Sequence, residues 1–207
     1  MTTRVKVCGI TRMEDGLAAA RAGADAIGFV FYPPSPRYVT PEHAHDIAAM
    51  IPPFVSTVGL FVDADAATVA AALRALRLDY LQFHGAESPE FCARFGVPFL
   101  KAVRVKPGVD LLQYAIAFGA AKALLLDAFV EGMHGGTGQG FDWQLIPSKM
   151  PISVILSGGL ESGNVAEAVR TVRPWAVDVS SGVEAAKGIK DADKIEQFMR
   201  GVRNADV

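Results

Sequence analysis

Val5-Lys6-Val7-Cys8-Gly9-Ile10-Thr11 is a short, mostly apolar run near the amino terminus that carries one thiol and ends in a glycine turn. A run of this kind is typical of a strand that is buried on both faces, as in a parallel sheet covered by helices. A similar run, Ala123-Leu124-Leu125-Leu126-Asp127, ends in a carboxylate. If both runs are strands of one closed parallel barrel, their carboxyl ends meet at the same mouth, which brings Cys8 and Asp127 together.

Short apolar runs alternate with alanine-rich helical segments along the rest of the sequence. The predicted strands cover residues 4–10, 26–32, 56–62, 80–84, 99–105, 123–129, 152–157 and 175–179. The predicted helices cover residues 13–22, 41–50 with Thr40 as its cap, 64–76, 88–95, 109–118, a short one from about 142, 162–172 and 191–202. Eight strand–helix repeats favour an α/β fold, a (β/α)8 TIM barrel of eight parallel strands, over a doubly wound open sheet.

Composition narrows the class of protein. The chain has 207 residues, of which 51% are hydrophobic and 20% charged, so we expect one globular domain over residues 1–207. A net charge of −2 gives no electrostatic reason to expect nucleic acid or an anionic membrane as partner. The apolar runs are too short to span a bilayer, and the amino terminus lacks a signal-peptide pattern. Two cysteines without metal-ligand spacing predict a reduced, cytoplasmic protein. The many alanines in the predicted helices fit either a monomer or a homodimer.

Polar residues that end the apolar runs are candidates for the site, because barrel active sites lie at the carboxyl ends of the strands. They are Cys8, Gln82, His84, Arg104, Asp127, Asp178, Ser180 and Ser181. Strand residues two apart share a face, so Lys6 points into the barrel if Cys8 does. Strands one and eight are neighbours in a closed barrel, and we therefore predict that Lys6 and Asp178 neutralise each other inside it.

Each candidate could also have a purely structural role. Cys8 could be a small buried hydrophobe, and Asp127 could cap a following turn, although a carboxylate after three leucines needs a partner or a function. His84 could be a hydrogen-bonded barrel histidine or a ligand contact. Arg37, held by a proline-rich loop, could be a solvated charge or could bind an anionic group with two hydrogen bonds.

Three further side chains are assigned no role in the chemistry. Cys92 falls within a predicted helix and is interpreted as structural. His43 and His45 fall in a predicted surface helix.

Two glycine-containing loops predict a phosphate site. Ser157-Gly158-Gly159 follows the seventh strand, and Val179-Ser180-Ser181-Gly182 follows the eighth and leads into residues 183–186 as a short extra helix. Barrel enzymes often hold a phosphate between these loops and the start of such a helix, because glycines let backbone N–H groups approach the anion. Two ordinary tight turns are the alternative.

At this point the motifs resemble a known family. They are Lys6-Val7-Cys8-Gly9-Ile10-Thr11, Gly28-Phe29-Val30-Phe31 with Ser35-Pro36-Arg37, Val58-Gly59-Leu60-Phe61-Val62, Leu81-Gln82-Phe83-His84-Gly85, Leu126-Asp127, Gly135-Gly136-Thr137-Gly138 with Phe141-Asp142-Trp143, Ser157-Gly158-Gly159-Leu160 and Asp178-Val179-Ser180-Ser181-Gly182-Val183-Glu184. In this order they resemble the phosphoribosylanthranilate isomerase family over nearly the whole chain. Phe83 stands where a leucine-like residue is expected, a small departure.

The resemblance implies an Amadori rearrangement of tryptophan biosynthesis, which turns N-(5-phosphoribosyl)anthranilate into 1-(2-carboxyphenylamino)-1-deoxyribulose 5-phosphate without metal or cofactor. In this resemblance Cys8 matches the general base and Asp127 the general acid. Arg37 looks like the contact to the anthranilate end, and His84 is expected to line the site. The phosphate grip would be Gly158, Gly159, Ser180, Ser181 and Gly182, and residues 131–140 a glycine-rich lid.

Other functions are less consistent with the residues. A Schiff-base aldolase needs a lysine near a strand's carboxyl end, whereas Lys6 is one layer too deep, Lys101 is expected to begin its strand and Lys122 precedes one. A metal-dependent epimerase needs a ligand cluster beside His84. A phosphosugar-binding protein without catalysis would need the loops but neither Cys8 nor Asp127.

Overall fold

Eight parallel strands hydrogen-bond in the order of the sequence and close into a barrel, in a computed structural model that describes residues 2–127 and 143–205. They are β1 Arg4–Cys8, β2 Ala26–Val30, β3 Ser56–Phe61, β4 Tyr80–Phe83, β5 Phe99–Arg104, β6 Ala123–Asp127, β7 Ser153–Ser157 and β8 Ala176–Val179. The pairing of β1 with β8, with Lys6 opposite Asp178, closes the barrel. The predicted barrel of eight parallel strands is confirmed.

Within the described residues, seven α-helices accompany the strands: α1 Met13–Ala22, α2 Pro41–Ala49, α3 Ala66–Ala75, α4 Pro89–Ala93, α5 Leu111–Ala117, α6 Val165–Val172 and α7 Ala192–Ala205. The Thr40 hydroxyl accepts a hydrogen bond from the backbone N–H of His43 and caps α2 as predicted. None of the helices in the described ranges is long and apolar enough to cross a membrane.

Of the two predicted short helices, the first is present and the second is wrong. A 3₁₀ helix, Trp143–Leu145, lies where a short helix from about residue 142 was expected. The segment after β8 makes a 3₁₀ turn, Ser181–Val183, and then a two-stranded hairpin of β9 Glu184–Ala186 and β10 Ile189–Lys190. Gly188 adopts a φ of +79° between these strands, so a turn reverses the chain where a helix would continue it. The predicted lid, residues 131–140, and residues 128–129 lie outside the described residues.

Side chains alternate between the barrel interior and the layer under the helices. Val5 and Val7 of β1 join the large outer core, whereas Leu125 of β6 joins an inner cluster. Cys8 belongs to a third cluster with Val30 and Leu60. Because of this alternation, every second side chain of a strand faces the barrel interior. The interior side chains at the carboxyl ends of the strands line the mouth.

Two buried ion pairs fill the polar positions of these layers. The Nζ of Lys6 lies 2.7 Å from Oδ1 of Asp178, so the predicted neutralisation across β1 and β8 is confirmed. Lys101 lies third in β5 rather than at its start, and its Nζ is 2.9 Å from Oε2 of Glu87. The ammonium of Lys101 also lies over the ring of Phe118, a residue of the outer core, so this lysine faces away from the mouth.

Candidate active site

Cys8 is the last residue of β1 and lies almost completely buried beside β2. Gly28 is its neighbour in the ladder. A Cβ at position 28 would lie 2.8 Å from the Cys8 sulfur and 3.2 Å from Cε of Lys6. The absent side chain of Gly28 therefore leaves the room in which the thiol and Lys6 come together.

Burial and the neighbouring charge of Lys6 shift the pKa of the Cys8 thiol in opposite directions. Burial raises the pKa of the Cys8 thiol above its ordinary value, while the ammonium of Lys6 acts to lower it. Burial acts to lower the pKa of Lys6, but Asp178 and Cys8 outweigh it and the pKa is raised. The Oγ of Ser157 donates to Oδ2 of Asp178 at 3.1 Å. Lys6 of β1, Asp178 of β8 and Ser157 of β7 therefore form one hydrogen-bonded network. The raised pKa of Lys6 favours its charged ammonium form next to the thiol.

Asp127 ends β6 opposite Ser157, so the network from Cys8 reaches the strand position beside the carboxylate. The Oδ2 of Asp127 lies 3.1 Å from Nε2 of His84, and Nδ1 of His84 lies 3.0 Å from Nε2 of Gln82. The side chains of His84 and Asp127 keep 20% and 22% of their surface exposed. Asp127 is therefore hydrogen-bonded to His84 and accessible at the mouth.

Arg37 lies in a cluster of charges beside the first and last strands. Its Nε and Nη2 donate to the two carboxylate oxygens of Glu184 at 2.7 and 2.8 Å. A Cβ at Gly9, where φ is +76°, would lie 2.5 Å from Cδ of Arg37 and 3.2 Å from Oγ of Ser180. The Nζ of Lys190 donates to Glu184 at 2.9 Å and to the carbonyl oxygen of Ser180 at 3.1 Å. The solvated-charge reading of Arg37 therefore does not fit.

Burial and these contacts set the charges of the cluster. Burial acts to raise the pKa of Glu184, but hydrogen bonds from Arg37 and Lys190 outweigh it and the pKa is lowered. Burial lowers the pKa of Lys190, and Glu184 opposes this shift. Because Glu184 holds one edge of the Arg37 guanidinium, the remaining N–H groups are oriented in advance.

The two glycine-containing loops pack against each other. A Cβ at Gly182 would lie 2.0 Å from the carbonyl oxygen of Leu160, so only glycine fits there. Gly158 and Gly159 adopt φ values of +84° and +65°. Asn164 braces this loop, since its Nδ2 donates to the carbonyl oxygen of Gly159 at 2.9 Å.

Ser180 and Ser181 complete the second loop. Ser181 begins the 3₁₀ turn of residues 181–183, and Ser180 contacts Lys190. The predicted residues Gly158, Gly159, Ser180, Ser181 and Gly182 are thus brought to adjacent loops.

Several residues of the site were not predicted from the sequence. Glu184 and Lys190 were given no role, and Glu184 meets Arg37 across 147 positions of sequence. His43, which was assigned no role in the chemistry, is exposed on α2 as predicted, and its Nε2 lies 2.8 Å from the carbonyl oxygen of Thr11. The hydroxyl of Thr11 donates to the carbonyl oxygen of Gly188, so these contacts tie the loop after β1 to α2 and to the hairpin.

A cavity of about 780 Å³ opens at the other end of the barrel, beside Thr3, Ile152 and Trp175, where strands begin. Neither Cys8 nor Asp127 lines this cavity. Over residues 2–127 and 143–205, no three His, Cys, Asp or Glu side chains converge as ligands for a metal ion.

A closed barrel with a thiol, a carboxylate and two glycine-rich loops at the carboxyl ends of its strands places the chain in the class of (β/α)8-barrel enzymes. Comparison with known proteins gives the particular family. The family model described as N-(5'phosphoribosyl)anthranilate (PRA) isomerase matches residues 5–201, and the chain belongs to this family.

Individual relatives match over almost their whole length. An N-(5'-phosphoribosyl)anthranilate isomerase from Nitrosospira multiformis is 59% identical over 202 residues, covering 98% of this chain and 97% of the relative. The crystal structure of phosphoribosyl anthranilate isomerase from Thermotoga maritima has a TM-score of 0.89 at 41% identity and covers 98% of this chain and 99% of that chain. A crystal structure of phosphoribosyl anthranilate isomerase in complex with reduced 1-(o-carboxyphenylamino)-1-deoxyribulose 5-phosphate has a TM-score of 0.83 at 38% identity, with 98% and 99% covered.

Proposed function

We propose that the protein isomerises N-(5-phosphoribosyl)anthranilate to 1-(2-carboxyphenylamino)-1-deoxyribulose 5-phosphate, a step of tryptophan biosynthesis, with Asp127 as general acid and Cys8 as general base. The observation that supports this most directly is the position of both residues at the carboxyl ends of barrel strands, with a network from Lys6 through Asp178 to Ser157, the residue opposite Asp127 in the ladder. An aldose-to-ketose rearrangement moves protons and changes no net oxidation state, so one acid and one base suffice.

Asp127 carries the first step. Opening the ribose ring requires a proton on the ring oxygen as the C1–O bond breaks, and the nitrogen lone pair then forms the protonated Schiff base. Asp127 is partly exposed at the mouth, and one of its oxygens is engaged by His84. The other oxygen remains to deliver the proton to the substrate.

Cys8 carries the second step. The Schiff base loses its C2 proton to the thiolate, and the resulting enolamine becomes the ketone by gaining a proton at C1 and losing that of the C2 hydroxyl. Lys6 beside the sulfur favours the thiolate, whereas burial opposes it. The acid and the base are thus separate groups on different strands, and each proton transfer has its own residue.

The remaining site residues hold the two ends of the substrate. We assign the free N–H groups of Arg37 to the anthranilate carboxylate, because Glu184 fixes the guanidinium in position. The paired loops with Gly158, Gly159, Ser180, Ser181 and Gly182 are assigned to the phosphate. We further assign a phosphosugar substrate and no nucleic-acid partner, and the near-neutral net charge of −2 is in keeping with the second assignment. We also assign a cytoplasmic location and a monomeric or homodimeric state.

Turnover of freshly prepared N-(5-phosphoribosyl)anthranilate tests this function. The loss of substrate fluorescence should proceed with the purified protein after treatment with a chelator and without added cofactor. A well-folded protein that binds a phosphosugar product analogue but leaves the substrate unchanged would reject the isomerase and leave a binding protein.

The pH dependence of the Cys8 reactivity is a further prediction. Because burial raises the pKa of Cys8, the thiolate is lost as pH falls, and kcat/KM should still be rising with pH above about 8.5, the ordinary pKa of a thiol. The rate of alkylation of Cys8 by iodoacetamide should rise over the same pH range. Burial raises the pKa of Cys92 to about 12, so this second thiol should stay unmodified in the folded protein and serves as internal control. Alkylation that levels off at neutral pH would contradict the prediction.

Arg37→Lys tests the assignment of the anthranilate end. Lysine keeps the positive charge but cannot bond Glu184 with two parallel N–H groups and still present others, so KM should rise about tenfold with a smaller change in kcat. The matched control is Arg74→Lys, an exposed position on α3, which should leave both constants unchanged. Steady-state kinetics give the answer, and a normal KM in Arg37→Lys would remove this assignment.

A further inference from the structure

Three polar side chains form a line of hydrogen bonds that leads to the proposed acid. Gln82 is fully buried within β4, and His84, two residues after Gln82, directly follows the end of this strand. The Nε2 amide of Gln82 lies 3.0 Å from Nδ1 of His84, and Nε2 of His84 lies 3.1 Å from Oδ2 of Asp127. The line therefore starts at a rigid interior strand position and ends on one particular carboxylate oxygen.

The amide of Gln82 decides which nitrogen of His84 carries the hydrogen. An amide nitrogen can only donate, so the Nδ1 that it contacts must act as acceptor. In neutral imidazole the other nitrogen then bears the hydrogen, and Nε2 of His84 donates to Oδ2 of Asp127. The opposite tautomer would turn the Nε2 lone pair towards Asp127, where it would compete with the substrate for the acid's proton.

The burial of Gln82 is not explained by packing alone. Its Oε1 is buried and has no hydrogen-bond partner among the residues that the structure describes. An unpaired buried oxygen lowers stability, and a leucine of similar size would remove that penalty. Retention of a polar group at a cost in stability is typical of functional positions.

We propose that Gln82 and His84 are positioning residues for Asp127. Gln82 fixes the tautomer of His84, and the Nε2–H of His84 holds Oδ2, so that the acid proton resides on Oδ1 and faces the substrate. This inference rests on the proposed function, because it assigns partners to the acid of that reaction.

The same hydrogen bond strengthens as the reaction proceeds. When Oδ1 of Asp127 gives its proton to the ring oxygen, the carboxyl group becomes a carboxylate, and the bond from His84 becomes charge-assisted and about twice as strong. A contact that is stronger in the transition state than in the ground state raises kcat and leaves KM nearly unchanged. Loss of the bond should therefore lower kcat about tenfold.

Kinetics of matched variants test the proposal. His84→Leu should lower kcat about tenfold with KM unchanged, and His84→Gln, which restores an N–H donor of similar reach, should recover most of it. Gln82→Leu should lower kcat severalfold while the melting temperature stays equal or rises, because the unpaired oxygen is gone. In an Asp127→Asn background, His84→Leu should have no further effect. His45→Leu, on the exposed face of α2, is the control.

Nitrogen NMR of the imidazole rings gives a readout that does not depend on turnover. Wild-type His84 should show a protonated Nε2 and an unprotonated Nδ1, and Gln82→Leu should show both tautomers. A protonated Nδ1 in the neutral wild-type ring would overturn the proposal. So would a raised KM without loss of kcat in His84→Leu, which would make His84 a substrate contact. Absence of wild-type turnover, by contrast, is the failure of the proposed function.

Discussion

Cys8→Ser is expected to lower kcat by about 10²- to 10⁴-fold, the usual contribution of a general base. A hydroxyl fits the space beside Gly28 but ionises far less readily than a thiol, so position and volume are kept and the base is lost. The measurement is steady-state turnover, with the affinity for a product analogue determined in parallel to show that the site is intact.

Cys92→Ala is the matched control for this substitution. Cys92 is also buried but lies in α4, within the outer core. Its loss should reduce the free energy of unfolding through the cavity it leaves, while kcat at a permissive temperature stays normal. If Cys8→Ser kept more than a tenth of wild-type kcat, Cys8 would not be the base.

Asp127→Asn is expected to lower kcat by a similar factor, about 10²- to 10⁴-fold, for a different reason. The amide keeps the shape of the side chain and can still accept the hydrogen bond from His84, but it has no acidic proton for the ring oxygen. Asp46→Asn, on the exposed face of α2, removes a carboxylate of the same kind outside the site and should leave turnover unchanged. Retention of near-normal kcat in Asp127→Asn would remove the acid from the mechanism.

Strand starts were predictable from the sequence to within one residue, and so were the ends of most strands, but the first two strands were predicted two residues too long. The predicted strands at 4–10 and 26–32 stop in the structure at Cys8 and Val30. Ile10 and Phe31 continue the apolar pattern and are buried, and their backbone N–H groups still donate to Gly28 and Leu60 of the neighbouring strands. Hydrophobicity reports burial, and residues at the closed rim of a barrel stay buried just beyond the ends of their strands.

The candidate site was predictable where it depends on a strand's own periodicity. The two-residue repeat of side-chain direction correctly paired Lys6 with Asp178 and placed Gln82 with His84. The two-residue repeat does not predict contacts between loops, because these contacts join segments that are far apart in the sequence. The pairing of Arg37 with Glu184, and the hairpin that presents Lys190, have no local pattern that would identify them.

Substrate with deuterium at C2 of the ribose tests most directly the assignment of Cys8 as general base and Asp127 as general acid. The measurement is the isotope effect on kcat for the wild type, Cys8→Ser and Asp127→Asn. We predict a large primary effect in Cys8→Ser, because removal of the C2 proton becomes rate-limiting. In Asp127→Asn the effect should approach unity, because ring opening then limits the rate. A large effect in Asp127→Asn together with none in Cys8→Ser would contradict the assignment of acid and base.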